Sequence, residues 1–267
     1  MDLGSVLAKI DRACEHTQAI KNEIRAWGDR QPYFITRDVN ANSTVYRLIA
    51  NIGIEPPLQK WTLMVGDAIH NLRSALDHLI YAVAVYEASG QNPPPDENRL
   101  SFPICDSPEK FRDSSGKIKS LSAGIRTAIE TCQPYNRRHP DLPPLLSILA
   151  VSDNTDKHKM LRLAQSAIVK GNVGFVGPGA LNANSVTFSA NAGEIKNGTE
   201  IITGIFQSPT PDMEFQSIDV AVVIALCHGK RDPSGPDGSD RTDVSSLFAL
   251  LTKEVRDVVR IVADASK

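Results

Sequence analysis

The sequence has few cysteines, no large excess of charge and no long apolar run, and each shortage argues against a class of protein. Its four cysteines stand far apart without a CxxC pair, which argues against a disulfide framework and a cysteine-rich zinc site. The formal net charge is only −2, so the chain lacks the basic field that holds nucleic acid to a dedicated binder.

Apolar runs and leader-like segments are also missing. The longest uncharged candidate, residues 79–85, is far too short for a membrane span. The first residues lack the basic start and apolar core of a signal peptide. The glycines between 171 and 179 are not followed by the Gly-Lys-Ser/Thr of a nucleotide-binding loop, so no cofactor is expected. We therefore expect a cytoplasmic protein without a membrane partner.

What the chain does have is apolar residues at regular spacing. Helical spacing predicts helices within residues 3–28, 57–161 and 243–264. Short β-rich runs between turn residues predict strands within residues 32–52 and 163–227.

This order of elements predicts the fold class. The early strands read as a hairpin, the later ones as an antiparallel meander, and residues 229–242 as a charged loop. Helices both precede and follow the β region, so we expect an α+β fold with about four main helices in a bundle, flanked by an antiparallel sheet. The chain is long enough for a sizeable core, and we expect a single domain over residues 1–267.

The most informative stretch is residues 66–78, GDAIHNLRSALDH, which lies in the second long helix and carries seven polar side chains. About 100° of rotation per residue puts most of them on one side, opposite a face rich in leucine and alanine. Buried polar groups without partners cost roughly 1–3 kcal/mol each, so this polar strip predicts either a hydrogen-bond network or an active site. Its members are Asp67, Asn71, Ser74 and His78 on the face itself, His70 and Asp77 on one flank, and Arg73 farther out.

A second polar group lies near the end of the helix predicted for residues 142–161. Residues 153–159, DNTDKHK, place carboxylates, an amide, cations and an imidazole within about two turns. Bundle interiors are a common place for ligand and metal sites. We therefore expect the two polar groups to line one pocket, with His78 and His158 close together.

Residues 73–78, RSALDH, form an R-x4-H pattern. In this the segment resembles the motif of HEPN proteins, a helical superfamily that includes RNA-cleaving toxins and defence nucleases. The resemblance implies metal-independent RNA cleavage, in which a ribose 2′-hydroxyl attacks the adjacent phosphate, His78 acts as acid and base, and Arg73 clamps the phosphate. Imidazole titrates near neutrality and guanidinium binds phosphate through two nitrogens, so the residue types suit that chemistry.

The resemblance also implies a homodimer that binds RNA, since that superfamily usually builds its site across two copies. On an uninterrupted helix, positions five apart diverge by about 140°, so Arg73 and His78 converge only at a helix start or where two copies meet. The other roles in this toxin-type ribonuclease would fall to Asp77 and Asn71 as orienting groups and to Lys157 and His158 as substrate contacts.

Two other interpretations of the polar strip stay open. One is a non-enzymatic helical-bundle interaction module, in which the strip is a satisfied network between helices. The other is a metal-binding hydrolase that uses His70, His78 and His158. Residues 66–78 and 156–158 also resemble a group of uncharacterised bacterial proteins of similar length, a likeness that implies no activity.

Overall fold

The computed structural model of the chain contains helices and strands in separate parts of the sequence. The part that it describes forms six α-helices and nine β-strands, which confirms the predicted α+β class. The described residues are 1–137, 139, 142–170, 175–176, 186–190, 194–209, 214–215, 219–228 and 240–267.

The chain divides into two compact units. One consists of Met1–Asn22, Gln59–Arg162 and Val244–Lys267, and the other of Glu23–Leu58 and Leu163–Asp243. The first is helical and carries both polar groups predicted from the sequence, whereas the second holds the strands.

The helical unit follows the predicted apolar spacing closely. α6 packs against α4 and α5, and its buried positions, from Val244 to Val262, recur every three or four residues. The helices are α1 (Gly4–Gly28), α2 (Leu58–Glu87), α3 (Pro108–Asp113), α4 (Ala123–Thr131), α5 (Leu145–His158) and α6 (Val244–Ala265).

The ends of α2 and the start of α3 have identifiable local causes. α2 begins directly after Pro56-Pro57. A helix start tolerates proline because the backbone N–H that proline lacks has no partner within the helix there. It ends where Gly90, at φ 88°, donates its N–H to the Val85 carbonyl at 2.8 Å, which is a common way to close a helix. α3 begins at Pro108, and the hydroxyl of Ser107 accepts from the backbone N–H of Lys110.

The strand unit contains a four-stranded antiparallel sheet. Its order is β1-β2-β6-β5, so the early hairpin and the later strands join in one sheet through β2 and β6. A small core packs against it, formed by Leu48, Ala50, Ile195, Ile201 and Ile202. The strands are β1 (Tyr33–Val39), β2 (Val45–Ile52), β5 (Val186–Ala190) and β6 (Thr199–Phe206).

The remaining strands pair separately instead of continuing one meander. β3, β8 and β9 form a three-stranded sheet in the order β3-β8-β9, and β4 pairs with β7. β9 occupies residues 240–243. The loop predicted for residues 229–242 is therefore wrong for 240–242, while residues 229–239 lie outside the described residues. These strands are β3 (Arg162–Lys170), β4 (Phe175–Val176), β7 (Glu214–Phe215), β8 (Asp219–His228) and β9 (Asp240–Asp243).

Candidate functional site

The polar strip lies in the middle of α2, which runs without interruption from Leu58 to Glu87. The opposite face is fully buried through residues such as Leu72 and Leu76. The strip itself lies at the surface of the helical unit instead of being sealed inside it, so its groups are reachable from solvent. Asp67 and His70 are exposed, and Asn71, Arg73, Ser74, Asp77 and His78 are half-buried.

α5 brings the second polar group against this strip. The side chain of Asp153 is only 6% exposed and lies between two nitrogen-bearing groups. Lys157 Nζ donates to its Oδ2 at 2.6 Å, and His70 Nδ1 lies 3.3 Å from its Oδ1. The two polar groups therefore meet as the sequence suggested, but the described contact from α2 is made by His70.

The imidazole of His70 links a hydroxyl to this buried carboxylate. Ser74, one turn further along α2, has its Oγ 3.4 Å from His70 Nε2. With the imidazole proton on Nδ1, His70 donates to Asp153 and its Nε2 accepts from the Ser74 hydroxyl. The order serine, histidine, aspartate is the connectivity of a nucleophile, a general base and a group that orients the base.

Asp156 lies one turn beyond Asp153 and packs against the backbone of α2 at Gly66. A Cβ added to Gly66 would fall 2.5 Å from Asp156 Oδ2, so a larger residue at this position would require the Asp156 side chain to shift. Burial raises the pKa of Asp156, and the carboxylates of Asp67 and Asp153 raise it further, while His70 opposes them. The α2–α5 contact thus holds a carboxyl group with an increased tendency to stay protonated.

Arg73 and Asp77 form a separate contact with the chain that follows α2. Arg73 Nη1 donates to Asp77 Oδ1 at 2.9 Å, and its Nη2 donates to the Phe102 carbonyl at 2.9 Å. The backbone N–H of Phe102 donates to the same Asp77 oxygen at 2.8 Å. The two side chains therefore clamp the segment around Phe102 onto α2, and this arrangement is called the Arg73 clamp below.

His78 lies beside a third feature, a cavity of about 440 Å³. Its imidazole is half-buried, and Tyr81, one turn further along, donates its hydroxyl to Asn92 Oδ1 at 2.7 Å. No bond between Arg73 and His78 occurs among the described contacts, in keeping with their divergence on an uninterrupted helix. The cavity is lined by Ser5, Asp77, His78, Tyr81 and Leu100.

The remaining predicted site residues lie at the margins. Asn71 donates to the Asp67 carbonyl at 2.8 Å and accepts from Lys9 Nζ at 3.4 Å. His158 is exposed at the last position of α5. Lys157 reaches the site through its bond to Asp153. No described contact joins His158 to His78, so their expected proximity gains no support.

Some partners could not be recognised from the sequence. Phe102 acts through its backbone groups, which carry no residue-type signal. Lys9 is one of two lysines on the amphipathic helix α1, and its sequence position does not single it out. By contrast, the spacing of His70 and Ser74 by four residues is a visible signal, because such pairs are neighbours on a helix surface.

A metal centre has no support in the part of the chain that the structure describes. No group of three or more His, Cys, Asp or Glu side chains there is placed to hold a metal ion. The metal-binding hydrolase that would use His70, His78 and His158 therefore gains nothing from the geometry.

Comparison with protein-family models, with curated proteins and with solved structures finds no match to this chain. Among the described helices, none combines the length and apolar character that crossing a membrane requires. Because fold class alone does not determine activity, function has to be inferred from the chemistry of the site.

Proposed function

We propose that the α2–α5 contact is the active site of a metal-independent hydrolase that uses Ser74 as nucleophile and His70 as general base. The observation that carries this proposal is the chain of contacts from Ser74 Oγ to His70 Nε2 at 3.4 Å and from His70 Nδ1 to Asp153 Oδ1 at 3.3 Å. Distances slightly beyond ideal are common in free enzymes, because such contacts tighten when substrate binds.

The residues divide the chemistry in a defined way. Ser74 Oγ forms a bond to the carbonyl carbon of an ester while its proton moves to His70 Nε2. His70 then gives that proton to the leaving alkoxide oxygen as the carbon–oxygen bond breaks. Water repeats both steps on the acyl-serine, releasing the acid and restoring Ser74. Asp153 holds the tautomer that keeps Nε2 available as a base.

Burial and charge around Ser74 and His70 are consistent with these roles. Asp153 is almost fully buried while the His70 side chain is 56% exposed, so the orienting group is fixed and the base faces solvent. Lys157 balances the charge of Asp153. The exposed carboxylate of Asp67, on the same face of α2, disfavours an anionic substrate at this site, so the proposed substrate class is a neutral or cationic ester.

A fluorophosphonate probe, which reacts with activated serine hydroxyls, tests the proposal directly. We expect the wild-type protein to be labelled at Ser74, as located by peptide mass spectrometry, and the label to be lost in Ser74→Ala and His70→Gln. Ser147→Ala is the matched control, since Ser147 lies on α5 but its hydroxyl donates to Asp106 at 2.6 Å instead of an imidazole. Equal labelling of wild type and His70→Gln would overturn the proposal.

A second candidate is the metal-independent endoribonuclease that the R-x4-H pattern implies, with His78 as acid and base and Arg73 as phosphate clamp. It is favoured by one observation, that His78 and Asp77 border the same cavity. Arg73 already donates to Asp77 and to the Phe102 carbonyl, which leaves fewer of its N–H groups for a phosphate. In this scheme Asn71 and Asp77 orient the pair, and Lys157 and His158 contact RNA.

Cleavage of a fluorescent single-stranded RNA in the presence of EDTA tests this second candidate. The endoribonuclease proposal requires RNA cleavage that is lost in His78→Ala and retained in Ser74→Ala, because only the first variant removes the proposed acid and base. Absence of both RNA cleavage and probe labelling, together with a lowered melting temperature for His70→Ala, would favour the non-enzymatic interaction module.

A further inference from the structure

The outer edge of β1 has no partner among the described strands and is exposed to solvent. Among the described strands, β1 stands at the end of the order β1-β2-β6-β5. Residues 34–38 are all exposed, including Phe34 at 56% and Ile35 at 38%. An exposed strand edge offers a row of backbone groups to which another strand can pair.

The backbone pairing shows which residues face outward. Asn40 N–H donates to the Val45 carbonyl at 3.1 Å, and Gly53 N–H donates to the Pro32 carbonyl at 2.8 Å. The β1–β2 register is constant between these two points, so even-numbered residues of β1 bond to β2. The N–H and carbonyl groups of the odd-numbered residues, 33, 35, 37 and 39, therefore point away from the sheet.

Charged side chains usually protect such edges, but those of β1 are engaged with β2. The guanidinium of Arg37 lies 5.2 Å from the ring centre of Tyr46, and Asp38 accepts from Arg47 at 2.8 Å. Both charges thus have partners on the neighbouring strand. The edge is left with exposed Phe34 and Ile35 and with few of the features that normally block pairing.

We propose that β1 pairs with β1 of a second copy of this chain, in antiparallel orientation, to join two four-stranded sheets into one. Antiparallel pairing of outward-facing groups requires odd-numbered residues to lie opposite odd-numbered residues. The register that uses the whole strand then places Thr36 on the two-fold axis, opposite Thr36 of the other copy. It exchanges hydrogen bonds between Tyr33 and Val39 and between Ile35 and Arg37.

This register is self-complementary. Threonine opposite threonine is a favourable cross-strand pair, and no like charges face one another directly. A strand of seven residues spans only about 24 Å, so the contact is at the small end of specific interfaces. We therefore expect a dimer whose population rises with protein concentration, independent of whether the proposed hydrolase activity is correct.

Charge complementation at Thr36 provides the test. Light scattering after size-exclusion chromatography should show the wild-type mass rising from 29.0 kDa toward twice that value as concentration increases. Thr36→Lys alone and Thr36→Glu alone should stay monomeric, because like charges meet on the axis. An equimolar mixture of the two should dimerise again. Thr36→Val is the control, since it also loses the 2.8 Å bond from Asn51 but adds no charge, and it should dimerise.

A second pair of variants tests the backbone contribution. Ile35→Pro removes an outward-facing donor without touching the β1–β2 bonds and should abolish dimerisation, whereas Ile35→Val keeps the donor and should retain it. Circular dichroism establishes that each variant is folded. A wild-type protein that remains monomeric at every concentration would overturn the proposal, as would charge variants that still dimerise alone or a mixture that does not.

Discussion

The Arg73 clamp permits a quantitative prediction. Removing the Arg73 side chain deletes its bond to Asp77 and its bond to the Phe102 carbonyl, both 2.9 Å long. Hydrogen bonds to charged groups contribute about 1.5–3 kcal/mol each, and partial exposure reduces this. Arg73 is 16% exposed and Asp77 37%, so we take the low end and expect Arg73→Ala to cost about 2–3 kcal/mol in free energy of unfolding.

Asp77→Ala should cost more, about 3–4 kcal/mol, because it also leaves the N–H of fully buried Phe102 without an acceptor. For a protein of this size, 1 kcal/mol corresponds to about 2–4 °C in melting temperature. Arg73→Ala should therefore melt about 4–12 °C below wild type. The double variant should show a coupling of about 1–2 kcal/mol, since both single variants break the same bond.

Urea denaturation and calorimetry of the wild type, both single variants and the double variant measure these quantities. Arg73→Lys serves as a matched control, because lysine keeps the charge but cannot donate to both Asp77 and the Phe102 carbonyl in the planar guanidinium geometry. An Arg73→Ala protein that melts with the wild type would refute the structural role. If it also lost RNA cleavage, the phosphate-clamp interpretation would be favoured.

Three further predictions concern Gln133, Asp156 and Cys132. Gln133 is fully buried; its side chain accepts from the Cys105 N–H and donates to the carbonyls of Pro103 and Ile129. Gln133→Ala should therefore lower the free energy of unfolding, measured by urea denaturation, by about 2–4 kcal/mol, and a loss under 1 kcal/mol would contradict this. Burial raises the pKa of Asp156 above its ordinary 3.8. Its protonation therefore contributes fully to the free energy of unfolding below pH 3.8, and this contribution is lost as the pH rises through the raised pKa. Asp156→Asn should therefore gain stability over wild type as pH rises from acid to neutral, and a difference that does not change with pH would contradict the assignment. Burial also raises the pKa of Cys132 to about 11. A disulfide-exchange reagent at pH 8 should therefore modify half-buried Cys14 and Cys227 well before Cys132, and equal rates of modification would contradict the burial of Cys132.

The helices were predictable because their packing leaves a local record. Apolar residues every three or four positions place α1 and α6 within about a residue of their observed ends, and Pro56-Pro57 mark the start of α2. α5 begins at Leu145, directly after Pro144 and three residues later than predicted. The β1–β2 hairpin was predictable for the same reason, since a polar turn separates two β-rich runs. Its Asn40 side chain accepts from the backbone N–H groups of Thr44 and Val45.

Strand order left no such record. β6 pairs with β2, although about 150 residues separate them, and β3 pairs with β8 instead of its neighbours in sequence. These choices depend on which apolar faces meet in the folded chain, and alternation within one strand specifies a face but not a partner. The same limit explains why β9 was assigned to a loop, because four polar residues acquire strand structure only through pairing with β8.

Only some contacts of the polar strip could be predicted from the spacing of residues along α2. His70 is in contact with Ser74 and Arg73 with Asp77, each pair on one face of α2, and His78 and Tyr81 line the same cavity. Those pairs follow from spacing alone. The third partner of each pair comes from elsewhere in the chain. Asp153 joins His70, the Phe102 backbone joins Arg73, and Leu100 lines the cavity beside His78.

The third partner, more than the pair, decides the chemistry that each contact can perform. A buried carboxylate makes an imidazole an oriented base, whereas a backbone carbonyl makes a guanidinium a clamp. The R-x4-H pattern contains residues that belong to two different contacts, the Arg73 clamp and the His78 cavity. That division is the physical reason to assign the proposed hydrolysis to His70, whose partners on both ring nitrogens complete one continuous chain from hydroxyl to carboxylate.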